Sequence, residues 1–211
     1  MKTLFSSAYW GSIEYYAAWV KSEAPVIEAC EHFQKQTYRS RTHIYGANGL
    51  LALNVPVCHK GRESQGHQVI SHTMIADEFQ WRREHFRSLE TAYRTSPYFE
   101  YYEDTFRHIY DKACGGSLLE LNLETHRVVC RLLGIEPGVE LSSSYEKNPE
   151  DTLDLRSAFS PKRPSQSVFE PYTQVFEEKC GFLPDMSILD LIFCIGGREA
   201  LEYLKNHKVV L

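Results

Sequence analysis

Between Phe79 and Gly134 the apolar residues return every three or four positions, in three successive segments, and that spacing fits helices. The first segment carries Phe79, Phe86, Leu89 and Tyr93 on one face and ends near SPYF. A second, from about Pro97, carries Phe99, Tyr102, Phe106 and Ile109. The third, SLLELNLETHRVVCRLLG, carries Leu118, Leu121, Val128, Val129 and Leu132. Gly134 stops it, with Pro137 just beyond.

The residues before this block read differently. LFSSA (4–8) is a short first strand, and SIEYYAAWVKSE follows as a helix with Ser12 as N-cap. Pro25 ends that helix, and PVIEAC reads as a buried strand. After a GANG turn, LLALNVPV places Leu51, Leu53, Val55 and Val57 on one face of a strand. CHKGRESQGHQ is a polar loop, and VISHTMIA is assigned as another strand. Strands come early and helices late, so α/β is favoured over all-α. The fold expected is a three-layer, Rossmann-like α/β sheet in the N-terminal half with a helical C-terminal half, α+β being the alternative. At 211 residues the chain is read as one domain. Its polar, proline-punctuated stretch at about 142–167 is read as a loop or arm. Near the end, Ser187 and Asp190 fit a capping box before SILDLIFCIGG, and REALEYL is a closing amphipathic turn or two.

One stretch, FQKQTYRSRTHIYGANG at 33–49, holds Lys35, Arg39, Arg41 and His43 without an acid, in a chain of formal charge -5. As a strand, all four cations share a face; as a helix, Lys35, Arg39 and His43 do. The stretch is either a solvated positive face or an anion site, arginine being suited to bidentate phosphate or carboxylate contact. Gln36 and Tyr38 lie between the cations. Trp81 and His85 sit at i, i+4 beside the apolar stripe. His85 is either a structural histidine or one that titrates at a pocket edge. Tyr172 and Gln174 point to one side of an extended EPYTQVF, to orient a sugar hydroxyl or to satisfy local backbone. The turn into the first helix is a further anion site by type, but Glu14 in that helix's first turn would repel phosphate.

Several chemistries have no motif here. There is no G-x-x-x-x-G-K-[ST], G-x-G-x-x-G or G-x-S-x-G sequence, and no H-x-x-x-H with a central acid. No metal site is therefore assigned. CGGS at 114–117 is read as a small-residue turn. The six cysteines are scattered without C-x-x-C spacing, which fits reduced thiols in a cytoplasmic protein. No run approaches the ~20 apolar residues of a membrane span, and the net charge argues against a nucleic-acid partner.

AYWGSIEYYA, HFQKQTYRSRTHIYGANGLLALNVPV, the Trp81–His85 spacing, AYRTSPYFEYY, LLELNLE, RLLGIEP, YEKNPEDTLDLR, PYTQVFEEKCGFLPDMSILDLIF and GREALEYL occur in order along the chain. Together they resemble the WbqC-like family, in the form common in Bacteroidetes. The resemblance implies work on surface polysaccharide of the O-antigen type, including attachment of an amino acid such as glycine to an amino sugar. It departs at SSAYWGS, where Gly11 stands in place of an expected proline and implies a more flexible loop. Under the resemblance, Lys35, Gln36, Tyr38, Arg39, Arg41, Trp81, Tyr172 and Gln174 are expected to bind substrate and its anionic part, and His85 to act on the amine. The substrate would be a nucleotide-linked amino sugar, with ATP or another phosphate-bearing acyl donor. Two classes stay open: an acyl or aminoacyl transferase or amide-forming ligase, and a non-catalytic binding component of polysaccharide assembly.

Overall fold

A computed structural model describes residues 1–58, 68–76, 80–112 and 116–210. Residues 59–67, read from the sequence as part of a polar loop, Phe79 and Cys114 lie outside the described residues.

The chain opens with a strand, β1 (Lys2–Ser6), a helix, α1 (Ile13–Lys21), and a strand, β2 (Ala24–Glu28), parallel to the first. Ser12 caps α1 as its spacing suggests, its hydroxyl accepting from the Tyr15 N–H. A hairpin follows, β3 (Arg41–Gly46) and β4 (Gly49–Asn54), turning at Ala47–Asn48. Three long helices come next: α2 (Trp81–Tyr93), α3 (Phe99–Lys112) and α4 (Leu118–Leu133). Helix α4 has both halves of a capping box, Ser117 with Glu120, and ends at Gly134 in the left-handed region, φ 72°. That conformation suits glycine because no Cβ meets the carbonyl.

Two short strands then return to the opening unit. β5 (Glu140–Leu141) pairs with β2, and β6 (Thr152–Asp154) pairs with β1. The sheet runs β5-β2-β1-β6, with all three pairings parallel. Three C-terminal helices complete the chain: α5 (Glu177–Cys180), α6 (Ile188–Ile195) and α7 (Gly197–Asn206). The architecture is mixed α/β, a parallel sheet with flanking helices and a helical C-terminal half.

Four details differ from the sequence reading. Half of the sheet comes from residues beyond 139, so the 142–167 stretch is partly structural and supplies β6. VISHTMIA is no strand: Ile70–His72 is a 3-10 turn, and His32–Val69, Val57–Ile75 and Met74–Ser117 are isolated bridges. On β4, Leu53 is buried but Leu51 is 40% exposed, because little covers the hairpin tip. Asp190 caps nothing. The Ser187 hydroxyl alone accepts from Leu189, and the Asp190 carboxylate turns inward.

The core is aromatic. Phe5 of β1 lies 5.4 Å from Tyr15 and 5.0 Å from Trp19 between ring centroids, which seats α1 on the sheet. Each such fully buried ring contributes about 1.5–3 kcal/mol by leaving water. The same Trp19 ring meets His126 of α4 at 4.2 Å, edge to face. Helix α7 crosses α4 so closely that a Cβ on Gly197 would lie 1.9 Å from the Leu132 carbonyl oxygen. Only glycine fits there.

The SSAYWGS loop between β1 and α1 is buried and tied down. Tyr9 and Trp10 are fully buried, and Trp10 holds a positive φ of 45°. Its carbonyl accepts from the Thr42 and Ser187 hydroxyls, and the Tyr9 N–H donates to the Tyr38 carbonyl. The looser loop expected from Gly11 is not what these bonds describe. Gly11 instead makes room for the Tyr15 ring, which a Cβ there would approach to 2.9 Å.

Candidate functional site

In open α/β sheets, ligands bind outside the carboxyl ends of the strands. Here β2 ends in Glu28 and β6 in Asp154, and both carboxylates hold Arg156. Arg156 Nε and Nη2 donate to Asp154 at 2.9 and 2.6 Å, and Nη1 donates to Glu28 at 3.1 Å. The other Glu28 oxygen accepts from the Cys30 N–H at 2.8 Å and from the Ser142 hydroxyl. Arg156 holds the Asp154 carboxyl below its ordinary range, and Asp154 in turn raises the guanidinium.

A second ion pair adjoins the first. Arg39 grips Glu31 with both edges of its fork, Nε to Oε1 at 2.7 Å and Nη2 to Oε2 at 2.5 Å. Nη2 also donates to the Arg156 carbonyl at 3.1 Å, which joins the two pairs. Both side chains are only 4% exposed. Burial pushes the Glu31 carboxyl up, and Arg39 opposes that push. Above this cluster lies Tyr145, half-exposed, with the Arg156 guanidinium 4.9 Å from its ring centroid. The His32 imidazole stands nearly parallel to the same ring at 6.3 Å.

The cationic run therefore does not act as a unit. Residues 33–40 form a loop leaving the carboxyl end of β2, and Arg41 and His43 enter β3. Arg39 faces a carboxylate of its own chain. Arg41 donates to the Asn54 side chain at 2.6 Å across the hairpin. Lys35 and Gln36 are exposed on the loop, while Tyr38 is buried beneath it, its hydroxyl pushed up mainly by burial.

His85 and Trp81 lie under α2, away from water. The imidazole sits at the end of a buried chain of hydrogen bonds. The Tyr9 hydroxyl lies 2.9 Å from Nδ1 and 2.8 Å from the Tyr110 hydroxyl, and the Asn54 backbone also bonds the ring. Tyr110 accepts from Trp10 Nε1 at 3.1 Å. Burial lowers the His85 pKa to about 4, against the pull of the Asn54 carbonyl. The imidazole should accordingly show no protonation by NMR from neutral pH down to about 4. Its folded pKa lies below the ordinary histidine value, so its stabilising share is complete above that value. That share is lost as the pH falls through about 4. Titration near the ordinary value would show that the pocket is wet.

Tyr172 and Gln174 come together, but around Asp190. Tyr172 donates to Asp190 at 2.5 Å and Gln174 at 2.8 Å. The Gln174 amide also bridges both backbone polar groups of Leu183. Of the expected site residues, then, Lys35, Gln36 and Arg41 stay at the surface or half-buried, whereas Arg39, Tyr38, Trp81, His85, Tyr172 and Gln174 are buried. The sequence reading missed Glu28, Glu31, Asp154, Arg156 and Tyr145. Its one available signal was acids closing an apolar strand, as in PVIEACE.

Glu14 and Asp185 occupy the remaining anion site by type. The Asp185 carboxylate accepts the Glu14 N–H at 2.9 Å, in the first turn of α1. Burial, with the Glu14 charge adding to it, raises Asp185 to about 7 against those hydrogen bonds. An acid of the chain thus stands where a phosphate would bind. Among the described residues no group of three or more His, Cys, Asp or Glu is placed to hold a metal ion, and no helix is long and apolar enough to cross a membrane. The five described cysteines are free thiols, with Cys130 and Cys194 buried and Cys58 and Cys180 exposed.

The sequence model of the WbqC-like protein family matches residues 7–165. An uncharacterized protein of Mycobacterium tuberculosis (strain ATCC 25618 / H37Rv), Rv1507c, is 30% identical across 82% of this chain and 84% of its own. No solved structure matches the chain.

Proposed function

The chain belongs to the WbqC-like protein family, and from that premise we propose that it serves surface-polysaccharide biosynthesis of the O-antigen type, joining an acyl or aminoacyl group to an amino sugar carried on a nucleotide. One observation carries the choice of an amine acceptor. Three carboxylates, Glu28, Glu31 and Asp154, meet two guanidiniums, Arg39 and Arg156, at the carboxyl end of the sheet. The residual negative charge favours an ammonium or a hydroxyl over a phosphate. Tyr145 offers the face of a half-exposed ring on which a sugar can rest. Lys35, Gln36 and Arg41, on the loop and hairpin that leave this end of the sheet, are the residues we assign to the acyl donor's anionic part.

Amide formation needs an unprotonated amine and a donor whose leaving group carries phosphate. The amine's proton must go to a base. Water at the open edge of the cluster takes it, because His85 lies behind the Tyr9 hydroxyl and both are buried. The proposed product is an N-acylated sugar nucleotide.

The test incubates the protein with amino-sugar nucleotides, glycine and ATP, or with a preformed acyl donor, and seeks a new amide by mass spectrometry. An amide whose yield collapses with Tyr145→Ala supports the reading. Sugar-nucleotide binding without product under any donor supports a non-catalytic binding component instead. A specific observation favours that second reading: His85 and Arg39 are both satisfied inside the chain. Absence of binding defeats both.

A further inference from the structure

We propose that the groove between α2 and α3 is a binding site for an organic diphosphate, of the nucleoside diphosphate class. The groove encloses about 700 Å³ and is edged by four arginines: Arg82, Arg83 and Arg87 of α2 and Arg107 of α3. Two acids, Glu90 and Asp111, share it. Glu90 is already engaged by Arg94, one turn along the same helix. In a chain of formal charge -5, four guanidiniums against two carboxylates make a local excess of positive charge.

Two of the four heads are held in place. The Arg107 guanidinium lies 4.4 Å from the Phe86 ring centroid and is steadied by Glu103 at 2.8 Å. The Arg82 guanidinium lies 4.8 Å from the Trp81 ring centroid. Such stacking fixes the plane of the fork and limits the entropy lost when it takes a phosphate. Arg83 and Arg87 are exposed and meet no carboxylate within ion-pair distance among the described residues. Unpaired arginines facing one concavity repel each other, and a multiply charged oxyanion relieves that repulsion with bidentate bonds.

The organic half of the ligand has a place beside the phosphates. Arg87 also borders a second hollow, of about 350 Å³, walled by Gly46, Ala47, Leu51 and Ala92. The exposure of Leu51 on the hairpin belongs to this hollow. A hollow of that size suits a small organic group. The proposal shares with the proposed function only the class of ligand and holds even if the chain transfers nothing.

The experiment is calorimetric titration of the whole chain with inorganic pyrophosphate and with UDP or ADP, at low and at physiological ionic strength. A single site is expected, with the nucleoside diphosphate binding more tightly than pyrophosphate. Arg83→Ala/Arg87→Ala should weaken both probes roughly tenfold or more. Arg107→Lys should also weaken them, because it keeps the charge and loses the fork. Leu51→Gln should narrow the advantage of the nucleoside diphosphate, and Arg198→Ala, exposed on α7, should change nothing. Unaltered binding in the groove variants overturns the proposal, as does an equal loss with Arg198→Ala or no binding of either probe at about 1 mM. Amide formation that persists with full nucleotide affinity in the groove variants would leave the proposed function standing and remove this site from it.

Discussion

Replacing Arg39 with alanine is expected to cost about 3–5 kcal/mol of folding stability at neutral pH. The reason is less the loss of attraction than the carboxylate left behind. Glu31 is 4% exposed at its side chain, and without Arg39 its Oε1 and Oε2 lose two charged donors. Burial already raises the Glu31 carboxyl, and removing the cation that opposes this should raise it further. The native state of the variant would then bind a proton that the unfolded chain does not. Its deficit should shrink as the pH falls toward the ordinary carboxyl value. Denaturant unfolding of Arg39→Ala at several pH values measures both effects. The double replacement Glu31→Met/Arg39→Met should recover much of the loss, since neither charge then needs a partner. A loss below about 1 kcal/mol, flat with pH, would mean that water reaches Glu31.

Asp190→Ala is expected to do comparable damage, again about 3–5 kcal/mol, by orphaning donors. The carboxylate is fully buried and accepts from the Tyr93 hydroxyl at 2.8 Å, from Tyr172 and from Gln174. Tyr93 in turn accepts the Tyr45 N–H at 3.1 Å, so Asp190 links α6 through α2 to the hairpin. Burial raises the Asp190 carboxyl, and the three donors resist that rise. Tyr172→Phe removes one donor and keeps the ring packing, so it should cost only about 1–2 kcal/mol. Denaturant unfolding of the two variants gives the ratio. Equal losses in the two would show that packing, not hydrogen bonding, dominates at this hub.

What could be read in the sequence was what is decided locally. The stripe and caps of α4 lie within one run of residues, and Ser117, Glu120 and Gly134 mark its ends. β6 is a different case. Its three residues, TLD, are partly or fully exposed, and its strand character comes from Lys2–Leu4 at the other end of the chain. VISHTMIA has the composition of a strand, but its neighbours meet it only at single bridges. The site was obscured for the same reason. The stretch from Phe33 looked acid-free, yet Glu31 stands two residues before it, and only the loop's return brings Arg39 onto it. Asp190 looked like a cap at i+3 because Ser187 is one, while its true partners lie on α2 and in the 172–174 segment.

The order of strands in the sheet also sets a schedule. β1 and β2 are complete once residue 28 has been made, but the strands that cover their outer edges span 140–154. At synthesis rates of ~5–20 residues per second, both edges stay open for on the order of ten seconds. Through that interval Lys2–Leu4 and Val26–Ile27 present unpaired backbone to any extended chain nearby. A nascent chain halted between residues 60 and 139 should therefore be captured by edge-binding chaperones, and one released beyond residue 154 should escape them.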